Sequence, residues 1–196
     1  MGDVLKRHSE QWIAGGLALA FLVLYGFTTA PAVLYGDGGE LQLAAALAGI
    51  AHPTGYPLYL ILGWLWTRLP LSTSPAHEMN LLSALMMAAA IGLFYPACRR
   101  FLHLATSAQR PALQHAIALV ATALLGIARL FWSQAIITEV YALNALIVAG
   151  MLNALFHWLE SEKGWRGLVP LAIWAGLGLA HHRTTLLWLP ALVLVI

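Results

Sequence analysis

Charge is scarce in this sequence: Asp, Glu, Lys and Arg make up 9% of its 196 residues, where a soluble domain carries about a quarter. That shortage excludes an ordinary soluble enzyme. The Lys and Arg residues are scattered, so there is no basic stripe to grip a nucleic acid. Cysteine is almost missing too. The lone Cys98 excludes an internal disulfide framework and a thiolate zinc cluster. No repeat with a period of about 20–50 residues and no Pro/Ser-rich or charged linker divides the chain, which reads as a single domain over residues 1–196. What remains is apolar. A hydrophobic content of 61% and a mean hydropathy of +0.78 describe an integral membrane protein.

The few charges punctuate the chain at the spacing of bilayer spans, which need about 20 apolar residues each. Uncharged stretches run from Gln11 to Gly36, Met79 to Cys98, Pro111 to Ala128, Val140 to Leu159 and Gly167 to His182. They predict five full spans, with the run from Thr184 to Ile196 a truncated sixth. Leu41 to Thr67 is uncharged as well, but His52-Pro53-Thr54-Gly55-Tyr56-Pro57 cannot continue a helix. Residues 37–70 therefore read as an outer loop with short interfacial helices. This arrangement puts Lys6, Arg7, Arg99, Arg100, Arg110, Lys163 and Arg166 on one face and leaves Arg68, Arg129 and Arg183 on the other. The first face is then cytoplasmic. The first span is an uncleaved anchor, because its apolar core exceeds the roughly 7–15 residues of a signal peptide. The expected fold is an all-α polytopic transmembrane helix bundle in the lipid bilayer.

With this topology the polar residues Asp37, Glu40, His52, Tyr56, Arg68, Glu78, Arg129, Gln134, Glu139, His181, His182 and Arg183 collect on the non-cytoplasmic side. Ionisable groups near the bilayer are costly, and they tend to line sites or pathways. Each also has a plainer reading. Asp37 and Glu40 have the spacing of a capping box at a helix start; alternatively, a carboxylate here accepts a proton from a hydroxyl or holds a divalent cation. His52 suits a phosphate or a metal, or sits in a stiff loop before Pro57 in the first turn of a helix. Tyr56 suits the headgroup level. Arg129 is a snorkelling charge or the structural partner of Glu139. Glu139 lies five residues past Gln134, about 7.5 Å deeper along a continuous helix, near Thr138 and Tyr141. His181 and His182 diverge by about 100° on a helix and so cannot share one ion. Arg183 beside a histidine suits a phosphate or diphosphate.

Asp37-Gly38-Gly39-Glu40 followed by His52-Pro53-Thr54-Gly55-Tyr56-Pro57-Leu58-Tyr59 resembles the opening of a family of GT-C glycosyltransferases related to the eukaryotic protein O-mannosyltransferases. Asn80-Leu81-Leu82-Ser83-Ala84-Leu85, Trp132-Ser133-Gln134-Ala135, Glu139-Val140-Tyr141-Ala142-Leu143-Asn144 and His182-Arg183-Thr184 continue the resemblance in order. The sequence departs from the pattern at Thr54, where the family has a second proline. It also departs at Gly38, and at His181, which precedes a position often held by asparagine. The family is longer than this chain, so the resemblance covers only its N-terminal part.

The resemblance implies a GT-C-like bundle that moves a sugar from a polyprenyl- or dolichyl-phosphate carrier to an acceptor hydroxyl of a protein or glycan on the outer face, with mannose and protein Ser/Thr suggested by relatives. It implies Asp37 as the general base, with Glu40 orienting it or the substrate. His52, His182 and Arg183 would face the leaving phosphate, and Glu139, Tyr141, Tyr56 and Arg129 the sugar or acceptor. Both metal-dependent and metal-independent members exist, so a divalent cation at Asp37 is compatible with the class. The expected location is a bacterial plasma membrane, or the endoplasmic reticulum in a eukaryote. Two other functions fit a polar membrane bundle: a transporter or lipid flippase, and a non-catalytic fragment that binds a lipid-linked sugar. The gathering of polar groups at one face argues against the transporter, which needs them through the membrane depth.

Overall fold

Proline opens five of the helices, a pattern that follows from its fixed φ and missing N–H, harmless only in a first turn. In the computed structural model these starts are Pro57, Pro75, Pro111, Pro170 and Pro190. The structure describes residues 2–69, 71–72, 74–106, 110–161 and 164–196, with side chains from residue 8 onward. Lys163 and Pro70 lie outside the described residues, as do the side chains of Lys6 and Arg7. Among the described residues every regular element is helical. The α-helices are α1 (Gly2–Thr28), α2 (Gly38–Leu47), α3 (Pro57–Trp66), α4 (Pro75–Ala105), α5 (Pro111–Ile127), α6 (Arg129–Ala135), α7 (Tyr141–Glu160), α8 (Val169–His181) and α9 (Leu189–Val195). Turns of 3-10 helix, Gly164–Leu168 and Arg183–Trp188, lead into the last two.

Helix α4 is the centre of the bundle, packed on α1, α5 and α7. Its inward face of Met79, Leu82, Met86, Met87 and Ile91 is buried. Small residues bring the helices close, since lipid tails give no apolar driving force between them. A Cβ on Gly92 would lie 2.9 Å from Ala18 Cβ, and one on Gly150 would lie 2.3 Å from the Trp174 indole. Many large apolar side chains, such as Trp12, Phe27 and Leu124, face outward instead, as a bundle in lipid requires.

Hydrogen bonds at the helix ends fix the directions of the helices. At one end Asn80 Nδ2 donates to Ala30 O (2.7 Å), joining the start of α4 to the end of α1, and His181 Nε2 donates to Val140 O (2.9 Å), joining the end of α8 to the start of α7. At the other end Arg99 pairs with Glu10, Arg100 pairs with Glu160 (3.4 Å), and Trp158 Nε1 donates to Gly164 O (3.0 Å). Helices α1 and α8 therefore run opposite to α4 and α7, which is the alternation predicted from charge. Asp37 and the His181–Arg183 step emerge at the same end.

Five full spans are not seen. Among the described residues three helical segments can cross a membrane by length and composition, His8–Thr28, Pro75–Ala105 and Tyr141–Glu160; a fourth crossing counts α5 and α6 as one span, bent by 60° at Ala128. The predicted fifth is a 13-residue helix, Val169–His181, after a 3-10 turn, so its regular part reaches about 20 Å against a core of about 30 Å. The expected truncated sixth is the short stretch Arg183–Val195. The short helices predicted within residues 37–70 are present as α2 and α3, ten residues each.

Candidate active site

Helix α2 begins where the Gly-rich loop lets the chain approach its neighbour. A Cβ on Gly38 would meet Thr138 O at 2.9 Å, so only glycine allows this contact. The loop is tied down by a buried polar network. Gln42 Nε2 donates to Asn80 Oδ1 (3.1 Å), Thr138 Oγ1 (3.0 Å) and Ala76 O (3.3 Å), while Thr138 Oγ1 donates to Asn80 Oδ1 (2.7 Å). Four segments meet there: the end of α1, α2, the start of α4 and the α6–α7 connection. Sequence reasoning missed Gln42 and Thr138 as organisers of the site. The available signal was a single glutamine among the leucines and alanines of α2.

The capping-box reading of Asp37 and Glu40 fails. Asp37 occupies the N-cap position of α2, but its side chain makes no capping hydrogen bond and is exposed. Glu40 turns to His52 instead: Oε1 accepts the His52 backbone N–H (2.6 Å) and Oε2 accepts from Nδ1 (2.9 Å). The ring hydrogen bond from His52, followed by the backbone one, holds the Glu40 carboxyl below its ordinary range. The same hydrogen bond to Glu40 raises His52, and the charges of Asp37 and Glu139 add to the effect. With Nδ1 donating to Glu40, Nε2 of His52 faces away from the carboxylate.

Tyr56 links this pair to α8. It sits in the left-handed region (φ 43°, ψ 52°) directly after Gly55 (φ 82°). A bulky residue accepts that conformation at a cost of roughly 1–3 kcal/mol, which the surrounding packing must offset. Its ring stacks on His182 (5.8 Å between centroids, 20° between planes) and stands edge-on to His52 (5.5 Å). Tyr141, first residue of α7, also lies beside the His182 ring (6.1 Å between centroids).

The two histidines divide their roles. His181 is 2% exposed and spends Nε2–H on Val140 O, locking α8 to α7. His182 has left the helix (φ −143°, ψ 134°), and its Nδ1 accepts from Thr184 N–H (3.2 Å) and Oγ1 (2.8 Å). Because a backbone N–H can only donate, Nδ1 of His182 is unprotonated and Nε2 carries the hydrogen. Burial, then the charge of Arg183, keeps His182 below the usual imidazole range. Arg183 itself is exposed.

Glu139 does not continue a helix from Gln134. Helix α6 ends at Ala135 and α7 begins at Tyr141, so Glu139 lies in an irregular connection beside Gly38 and Gln42, around a notch of about 20 Å³. Burial raises its pKa, and the nearby Asp37 charge raises it further. Among the described residues no ion pair joins Arg129 to Glu139; Arg129 is exposed at the start of α6, after the 60° bend. The structure thus gathers Asp37, Glu40, His52, Tyr56, Glu139, Tyr141 and His182 and sets Arg183 beside them. No set of three or more His, Cys, Asp or Glu able to hold a metal exists among the described residues. Glu40 is already engaged by His52.

Residues 37–196 match the family model of the N-terminal domain of protein O-mannosyl-transferase TMEM260. A mouse protein of the name protein O-mannosyl-transferase TMEM260 is 34% identical over 163 residues, covering 81% of this chain and 22% of the mouse protein. Its Dictyostelium discoideum namesake is 29% identical over 144 residues, 72% of this chain and 16% of its own length. The chain spans about a fifth of the length of these curated relatives. Both come from eukaryotes, so they lend no support to a bacterial plasma membrane. No solved structure matches.

Proposed function

The chain belongs to the protein O-mannosyl-transferase TMEM260 family, and on that premise we propose that it carries a site transferring mannose from a polyprenyl- or dolichyl-phosphate to a protein serine or threonine hydroxyl. Asp37 is the general base. It takes the proton as the hydroxyl oxygen attacks the anomeric carbon, and the bond to the carrier phosphate breaks with its electron pair leaving on phosphate. His182, through Nε2–H, and Arg183 stabilise that leaving phosphate, with His52 as a further cation. Glu139 and Tyr141 contact the sugar or acceptor. The observation that carries this reading is the meeting of the 37–40 loop, the 52–56 loop, the start of α7 and the end of α8 around Tyr56 and His182.

We read the site as non-cytoplasmic and Gly164–His181 as a further crossing, since its ends reach both ends of α7. In a eukaryote the membrane is that of the endoplasmic reticulum. The test is Asp37→Asn in the full-length protein, assayed for mannosyl transfer to an acceptor peptide. Loss by about a hundredfold or more, the usual range of a general base, with binding of the lipid-linked donor retained, is expected. Unchanged transfer overturns the role.

A further inference from the structure

The notch of about 20 Å³ beside Glu139 has no assigned occupant in the mechanism above, and its lining comes from four segments. Leu34 and Tyr35 of the α1–α2 loop and Ile137 of the α6–α7 connection supply apolar surface, and Glu139 supplies a carboxylate. The floor is the network of Gln42, Asn80 and Thr138, whose hydrogen bonds to one another hold it rigid. Gly38 completes the lining. Asp37 immediately precedes it in the chain, and the Asp37 charge reaches Glu139. Leu34, Tyr35 and Ile137 do not stand out in the sequence, where apolar residues are the rule.

Size, charge and access together define the occupant. A single water needs about 10–15 Å³ of such space, so the notch takes about one or two non-hydrogen atoms. That suits a hydroxymethyl group and excludes a sugar ring. Among the described residues no cation lines the notch, and the carboxylates of Asp37 and Glu139 repel a phosphate. His52, His182 and Arg183, which face the leaving phosphate, stand outside the lining. In a direct displacement the attacking hydroxyl arrives on the side away from the leaving group. At the rim Leu34 is 52% exposed and Tyr35 is fully exposed, so the rest of a peptide can lie across them.

We propose that this notch receives the side chain of the acceptor serine or threonine, with Leu34 and Ile137 limiting its size and Glu139 contacting the acceptor rather than the sugar. The assignment rests on the transferase reading above and names the residues that select its acceptor. A serine hydroxymethyl group fills the space, and the extra methyl of a threonine presses on the apolar walls. One such carbon in a closed pocket is worth about tenfold or more in discrimination.

The test uses full-length protein in nanodiscs and two short peptides that differ only in a central serine or threonine. Ile137→Ala widens the notch. It should raise the threonine-to-serine ratio about tenfold, both in peptide affinity and in kcat/KM for mannosyl transfer, with KM for the lipid-linked donor unchanged. Leu34→Ala, on an exposed loop, should move both ratios the same way and serves if Ile137→Ala fails to fold. Unchanged ratios in both variants with transfer intact overturn the acceptor site, leave the transferase reading standing and mark the notch as a place for water only. A shift in donor KM without a shift in the acceptor ratio also overturns it, by giving the notch to the sugar. Affinity ratios that move as expected while even the unaltered protein transfers no mannose support the notch and overturn the transferase reading instead.

Discussion

Glu40 is bound twice by one residue: the His52 backbone N–H holds one carboxylate oxygen at 2.6 Å and the His52 ring holds the other at 2.9 Å. The pair spans the break between α2 and α3 and sets which ring nitrogen of His52 faces outward.

Replacing Glu40 by Gln removes the anion that favours the protonated form of His52. Because the His52 pKa is raised in the folded protein, its contribution is present below the ordinary imidazole pKa and is lost as pH rises through the raised value. The alkaline limb of the pH–activity profile should therefore move to lower pH in Glu40→Gln. The acid side behaves oppositely: Glu40, with its depressed pKa, loses its contribution only as pH falls below the normal carboxylate range. A profile unchanged on the alkaline side would remove His52 from the chemistry.

His181 and His182 should separate in mutagenesis. His181→Ala leaves Val140 O without its buried donor and opens a void, costing about 1–3 kcal/mol in thermal or denaturant unfolding. His182→Ala loses the N-cap of a 3-10 turn, about 1 kcal/mol, together with the ring stacked on Tyr56, and should lower transfer by tenfold or more at constant expression, a drop of about 1.4 kcal/mol in transition-state stabilisation. The opposite ranking would reverse the assignment.

Asn80→Ala breaks the network at its centre: the Thr138 hydroxyl loses its acceptor, while Gln42 Nε2 keeps Thr138 Oγ1 and Ala76 O, and Ala30 O keeps the His77 ring. One buried hydroxyl left without an acceptor costs about 1–3 kcal/mol and predicts a lower unfolding temperature for the membrane-reconstituted protein. Gln42→Leu should follow in the same direction.

Gly38→Ala adds a methyl that cannot coexist with Thr138 O at 2.9 Å. The 37–40 loop must lift from the α6–α7 connection, carrying Asp37 with it. Transfer should fall by tenfold or more with little change in stability, since a displacement of about 1 Å at a reacting group can cost a hundredfold.

Charge punctuation made most of this legible. The alternation of helix directions, the two short helices between residues 37 and 70, and the shared end of Asp37 and His182 all follow from where lysines, arginines and prolines stand. Three features did not follow. The short helix α6, past the bend at Ala128, falls in the gap between two predicted spans and has no proline to mark its start. Glu139 was placed by helical spacing, yet Ile136 to Val140 form an irregular link in which Thr138 serves the network. The pairing of Arg99 and Arg100 with Glu10 and Glu160 joins residues far apart in sequence, a relationship that composition cannot carry.

Trp174 resting on Gly150 has a further consequence. The indole fills the space where a side chain would stand, about 15 Å along α7 from Val140, and so fixes how far α8 can slide. Slippage by one helical turn would withdraw the imidazole beside Tyr56 by about 5 Å. The reach of His182 is thus calibrated by a flat ring pressed on a bare backbone, midway along α7.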